Sequence, residues 1–237
     1  MNSTKKQARV AGLLYLLASI PAPFALIYVP GTLIVSGDAT ATANHVRASE
    51  TLFRLGIASE LFGFIIFIFV VLALYRLFKA VDKKHALAMA TLILISIPIS
   101  LFNVLNEIAA LVLASGAKFL SVFETRQLDA LAYLFLRLHG QGFVVAQIFW
   151  GLWLFPFGIL VIRSGFIPRV LGVLLFIAGF GNVASSFTSL FPLPYASLVD
   201  RFASALTAAE LPIIFWLLIW GAKDQSLGEQ HSDAAIA

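Results

Sequence analysis

Six apolar runs of bilayer-crossing length, joined by short polar loops, leave this chain few folds to adopt. A helix needs ~20 apolar residues to cross a hydrocarbon core ~30 Å thick. The runs extend over about Val10–Val29, Thr51–Phe78, Ala86–Ala114, Ala130–Ile162, Val170–Phe191 and Leu206–Gly221. Backbone polar groups in lipid must be satisfied within the segment, so runs of this kind fold as helices. Charged residues are 12% of the 237, against 60% hydrophobic. A soluble domain carries roughly twice that share of charge, about 25%. The solvent of this chain is therefore lipid. The expected fold is all-α, a polytopic transmembrane helical bundle of about six spans. Residues 1–222 make one bundle, and 223–237 a small, polar, disordered cytoplasmic tail.

Basic residues set the orientation. Lys5, Lys6, Arg9, Arg76, Lys79, Lys83, Lys84, Arg163, Arg169 and Lys223 fall on one side. Arg47, Arg54, Lys118, Arg126, Arg137 and Arg201 fall on the other side or its span ends. The richer side faces the cytoplasm, which puts both termini there. The same placement explains the net charge of +4 without nucleic acid as a partner. Basic residues before the first run resemble a signal peptide, but Ala18-Ser19-Ile20-Pro21-Ala22 is a poor cleavage site. The run is read as a retained helix, kinked near Pro21 and Pro23. Asp38 is placed to cap a short surface helix, and an interfacial helix is expected around Phe119, Leu120 and Phe123.

Within the apolar runs stand residues that lipid disfavours. An ionisable side chain at mid-bilayer costs at least ~2.5 kcal/mol, which makes each one a candidate site residue. Counted from the span ends at ~1.5 Å per residue, Glu60, Glu107, Arg137, Gln141 and Asn182 lie at similar depth in the outer half. Glu210 lies nearer that surface. Asn103, Asn106 and Glu107 share one stripe of the third span, and Arg137 and Gln141 one face of the fourth. His139 points about 160° away from Arg137. The expectation is one pocket lined by Glu60, Asn103, Glu107, Arg137 and Gln141, with Asn182 and Glu210 at its edge. Arg137 is expected to pair with at least one carboxylate. Structural ion pairs and interhelical hydrogen bonds are the plainer alternative, although such contacts contribute only ~0.6 kcal/mol each on average.

Other chemistries find less support. Cysteine is absent, which excludes disulfides and thiolate metal sites. A metal site would need His139 and carboxylates from separate helices, and no paired-His motif occurs, so neither metal nor cofactor is expected. Ser185 and Ser186 lack a nucleophile-elbow context. Gly172 and Gly179, seven residues apart, give the fifth span a smooth face for close packing.

Four stretches carry a family likeness: ARVAGLLYLL (Ala8–Leu17), SETLFRLGIASE (Ser49–Glu60), LYRLF (Leu74–Phe78) and RSGFIPRVLGVLLFIAGFG (Arg163–Gly181). Together they resemble the bacterial membrane family known as domain of unknown function 4386. The resemblance implies a multi-pass protein of a bacterial plasma membrane, with no activity to carry over. The chain departs from the family pattern at Asn182, where an aromatic residue is expected.

Three functions follow from these residues. The first is a binding or transport module whose outward polar pocket takes a small polar ligand, a proton or a lipid headgroup. The second is an intramembrane enzyme using a Glu as general base. The third is a structural or signalling subunit whose polar groups are packing contacts. The lipid bilayer is the partner common to all three.

Overall fold

The computed structural model describes residues 3–191 and 196–222. The break assigned to Pro192-Leu193-Pro194 and the tail assigned to 223–237 lie outside them. Six helical stretches are long and apolar enough to span a membrane: Thr4–Leu33, Glu50–Phe78, Lys83–Ala114, Thr125–Ser164, Arg169–Leu190 and Arg201–Ile219. They are spans one to six below. No strand occurs among the described residues. The protein is a multi-pass, all-helical membrane protein.

Local chemistry fixes the span ends. Span three starts at Lys83, ahead of the expected Ala86, because the Asp82 carboxylate accepts from the Lys84 and His85 amides. Span four starts at Thr125, behind a capping box in which Glu124 and Gln127 satisfy each other's backbone. That cap, with Gly116 at φ 68°, leaves room for only one 3-10 turn, Lys118–Leu120, where an interfacial helix was expected. Asp38 caps the surface helix Ala39–Ala48, accepting from Ala41.

The spans are interrupted where proline dictates. A proline withholds the N–H that would bond the carbonyl four residues back. Span four divides into Thr125–Leu152 and Leu154–Ser164, and Pro156 lies one turn beyond the junction. Span six passes through a 3-10 turn at Ala208–Glu210 before Pro212. Span one runs as helix to Ser19, passes Pro21 and Pro23, and widens into a π turn at Phe24–Tyr28 before Pro30. Span three absorbs Pro98 without a break.

Each span packs on its neighbours in sequence, and span six returns to span one, so the bundle closes into a ring. The closure brings the described chain ends together: Arg9 Nη2 donates to the Ile219 carbonyl at 2.9 Å. The turns between spans two and three and between spans four and five lie at this same end, joined by Arg163 and Asp82 at 2.7 Å. Two apolar cores result. The larger fills the end where the described chain ends meet, around Tyr15, Leu74, Phe78, Trp153, Phe157 and Leu217. The smaller fills the distal end, around Val29, Phe53, Val104 and Leu136.

Spans four and five meet along a glycine seam. A Cβ on Gly158 would stand 2.8 Å from the Gly172 carbonyl oxygen, and one on Gly172 2.7 Å from that of Gly158. Gly151 and Gly179 repeat the arrangement, at 2.7 and 3.0 Å. One turn pair further, the Ser186 hydroxyl donates to the Val144 carbonyl. All three pairs share one midpoint, Gly165, whose φ of 69° reverses the chain. The seven-residue repeat is that of helices in coiled-coil packing. The expected smooth face of span five is thus matched by one on span four.

Candidate functional site

Between the two cores lies a layer of polar side chains. Glu60 of span two, Glu107 of span three and His139 of span four converge there, each buried. His139 Nε2 sits 3.3 Å from Glu60 Oε1 and 3.8 Å from Glu107 Oε2. Asn103, one turn before Glu107, donates from Nδ2 to the His139 backbone carbonyl at 2.8 Å. Its own Oδ1 accepts from Asn106 Nδ2 at 3.1 Å. The amide thus ties span three to span four beside the imidazole. Phe143 packs edge-on to the ring, with centroids 4.8 Å apart.

The group is incompletely satisfied. Glu60 Oε2 and Glu107 Oε2 are buried without a hydrogen-bond partner. The Ser100 hydroxyl, seven residues before Glu107, is likewise unpartnered. Native proteins satisfy the large majority of such atoms, so three of them, one on span two and two on span three, set this layer apart from the rest of the interior.

A cavity of about 580 Å³ adjoins the group. All six spans contribute to its wall, which is largely apolar: Phe64 and Phe67 of span two, Trp150 and Trp153 of span four, Leu211 and Ile214 of span six. Its polar points are few. Glu60 is one, shared with the His139 group. Asn182 is another, accepting from Gln147 Nε2 at 3.3 Å and donating to the Ala178 carbonyl. Glu210 is a third, held by the hydroxyl of the buried Tyr15. Glu107 and His139 face a separate small pocket beneath Val29, Pro30 and Phe53.

The cavity owes its shape to the helix breaks. Near the described chain ends, spans one and six touch closely, with Gly12 against the backbone of Leu217 and Leu218. Further along, span one enters its proline and π-turn segment and span six its 3-10 turn. Both segments line the cavity. Ile27 and Leu211 line it and are also 71% and 49% exposed. The space therefore reaches the side of the bundle between spans one and six, at membrane depth.

The seven residues singled out from the sequence separate into three sets. Glu60, Asn103 and Glu107 come together. Asn182 and Glu210 stand on the cavity wall with Glu60. Arg137 and Gln141 are exposed, and the expected pairing of Arg137 with a carboxylate is not formed among the described residues. The physical reason is helical phase. Two residues turn a helix by ~200°, so Arg137 and Gln141 share one face and His139 occupies the opposite one. The buried residues Asp129, Ala132, Leu136, His139 and Ala146 mark the inward face of span four. Their spacing of three and four, completed by Phe143, was the signal that places His139 inside. A further pair escaped the sequence reading: Asp129, almost fully buried, bonds Arg47 at 2.9 Å and ties the surface helix to span four.

The chain belongs to the family described as Domain of unknown function (DUF4386), whose model matches residues 10–221. No curated protein and no solved structure matches it.

Proposed function

We propose that this member of a family without an assigned activity binds an amphiphilic, lipid-like molecule from within the bilayer. The observation that carries the reading is the cavity of about 580 Å³ open sideways between spans one and six. Ligand pockets are typically ~300–1,000 Å³, mostly apolar, with a few placed polar groups. An apolar wall suits a hydrocarbon chain. Glu60, Asn182 and Glu210 offer acceptors and donors to a headgroup. A small polar solute would gain little from the aromatic wall, and an opening at membrane depth offers it no aqueous approach. The intramembrane position also makes the bilayer the source of the ligand. In this reading both termini are cytoplasmic and the membrane is the plasma membrane of a bacterium, on the ten-to-six basic bias.

Gly63 provides the test. It lines the cavity, and a Cβ there would meet the Ala18 carbonyl oxygen only at 3.5 Å, an ordinary contact. Gly63→Leu should fill the space without forcing the backbones apart. Native mass spectrometry of the purified proteins should show bound lipid falling several-fold in the variant. Equal lipid retention by both would remove the cavity from the function.

A further inference from the structure

We propose that Glu60, Glu107 and His139 form a binding site for a single divalent transition-metal cation of the zinc class. One ligand atom from each of the three lies within 4.8 Å of the others. Zinc holds imidazole nitrogen and carboxylate oxygen at ~2.0–2.2 Å, which in tetrahedral geometry separates neighbouring ligand atoms by ~3.3 Å. The two distances from His139 Nε2 are 3.3 and 3.8 Å. The third separation, between the two carboxylate oxygens, is within 4.8 Å, so the glutamate side chains would have to close in on the ion.

Two features besides the spacing of the ligand atoms point to a ligand. Both glutamates are more than nine-tenths buried, at 5% and 4% exposed, and each presents an oxygen with no hydrogen-bond partner. Charge gives the second. The only cationic partner of Glu60 and Glu107 among the described ion pairs is His139. Two carboxylates and an imidazolium leave one negative charge at membrane depth, which needs either a proton on one carboxylate or a further cation. Two carboxylates, a neutral imidazole and a divalent cation leave none. The nitrogen-and-oxygen donor set, without thiolate, suits Zn²⁺ or Mn²⁺ and disfavours Cu⁺. Asn103, bonded to the His139 backbone, positions the helix that carries the imidazole. Three protein ligands leave a fourth position for water or a ligand group, the pattern of catalytic rather than structural zinc. Of the three ligands, Glu60 lines the large cavity and Glu107 and His139 the small pocket. The site stands on its own geometry and does not depend on what fills the cavity.

The test uses the full chain in detergent, stripped with a chelator and incubated with Zn²⁺ or Co²⁺. Bound metal is counted by mass spectrometry after gel filtration, and the Co²⁺ form is read by its visible spectrum. The expected result is one ion per chain, with Co²⁺ bands of a four- or five-coordinate site. Glu107→Gln and His139→Asn should each weaken binding by about tenfold or more. Glu210→Gln, which alters a carboxylate outside the group, should retain the ion. Retention of no metal by the unmodified chain overturns the proposal, as does equal retention by Glu107→Gln and His139→Asn. In the latter case the ion is held outside this group. If His139→Asn does not fold, Glu107→Gln and the unmodified chain still decide between these outcomes.

Discussion

The glycine seam and the carboxylate–histidine group both join span four to its neighbours, and they do so by opposite means. At its four glycines the seam uses no side chain at all. Gly151, Gly158, Gly172 and Gly179 let two backbones approach until a single added carbon would collide with a carbonyl oxygen. The other junction uses long, ionisable side chains that span the gap and leave oxygens unpaired. In lipid there is no hydrophobic gain from bringing apolar helices together, so close packing is the economical way to join them. A helix junction made of buried acids is not. The contrast teaches that the seam serves assembly, whereas the acids exceed what a helix junction needs and, on the metal-site proposal, are explained by what they bind.

That contrast can be broken by substitution. The largest effect is expected at His139. His139→Leu removes the one ion-pair partner that two buried carboxylates have among the described residues, a change that typically costs ~3–5 kcal/mol. Thermal unfolding in detergent should register it, and adding Glu107→Gln should restore part of the loss. A single variant as stable as the parent would mean the acids need no partner. Gly158→Leu comes next, at ~1–3 kcal/mol for overpacking. Gly140, on the same span but exposed with nothing within 4 Å, is its control, and Gly140→Leu should leave stability unchanged. Equal effects at the two glycines would abolish the seam as a packing device.

Smaller effects sharpen the picture. Asp82, at the foot of the hairpin between spans two and three, has its carboxyl lowered from an ordinary 3.8 to about 2, chiefly by the His85 amide and then its ring. A depressed carboxyl contributes stability that is whole above the ordinary value and is lost as pH falls through the folded one. Asp82→Asn should therefore flatten the acid limb of a stability profile between 3.8 and about 2 and change its shape little at neutral pH. An unaltered acid limb would mean the contacts to His85 and Arg163 do not persist in solution. The smallest change is expected at Arg137, exposed and unpaired with the acids. Arg137→Gln should stay within ~0.5 kcal/mol of the parent. A loss as large as that of His139→Leu would return Arg137 to the buried group.

Most of the architecture was legible because lipid enforces it. Span number, the other loop positions and the smooth face of span five follow from run length and residue size, whereas the stretch before Leu206, expected as a loop from Tyr195 to Ser204, is helix Ala196–Thr207. Asp38 as a cap and the kink at Pro21 and Pro23 follow from local chemistry. Pro156 and Pro212 carried the same kink signal for spans four and six and went unused. The site was legible in part. Depth and helical stripes bring Glu60, Asn103 and Glu107 together, but depth does not decide which face of span four turns inward. Formal charge favoured Arg137. The spacing of Ala132, Leu136, His139, Phe143 and Ala146 favours His139, and packing follows the apolar face. The cavity was not legible, because it arises where spans one and six part at their breaks. That parting is a property of two distant segments and of neither alone.

The common midpoint of the seam has a kinetic consequence. Pairs centred on Gly165 close nested loops: Gly158 with Gly172, then Gly151 with Gly179, then Val144 with Ser186. Each closure shortens the loop that the next must close, so the entropic cost is met in small steps. The hairpin can zip outward from its turn as soon as span five is made, without waiting for span six. The same nesting makes the length of the turn a counter. One residue inserted between Gly165 and Pro168 would shift every pair together, and the zipper would lose all its teeth at once.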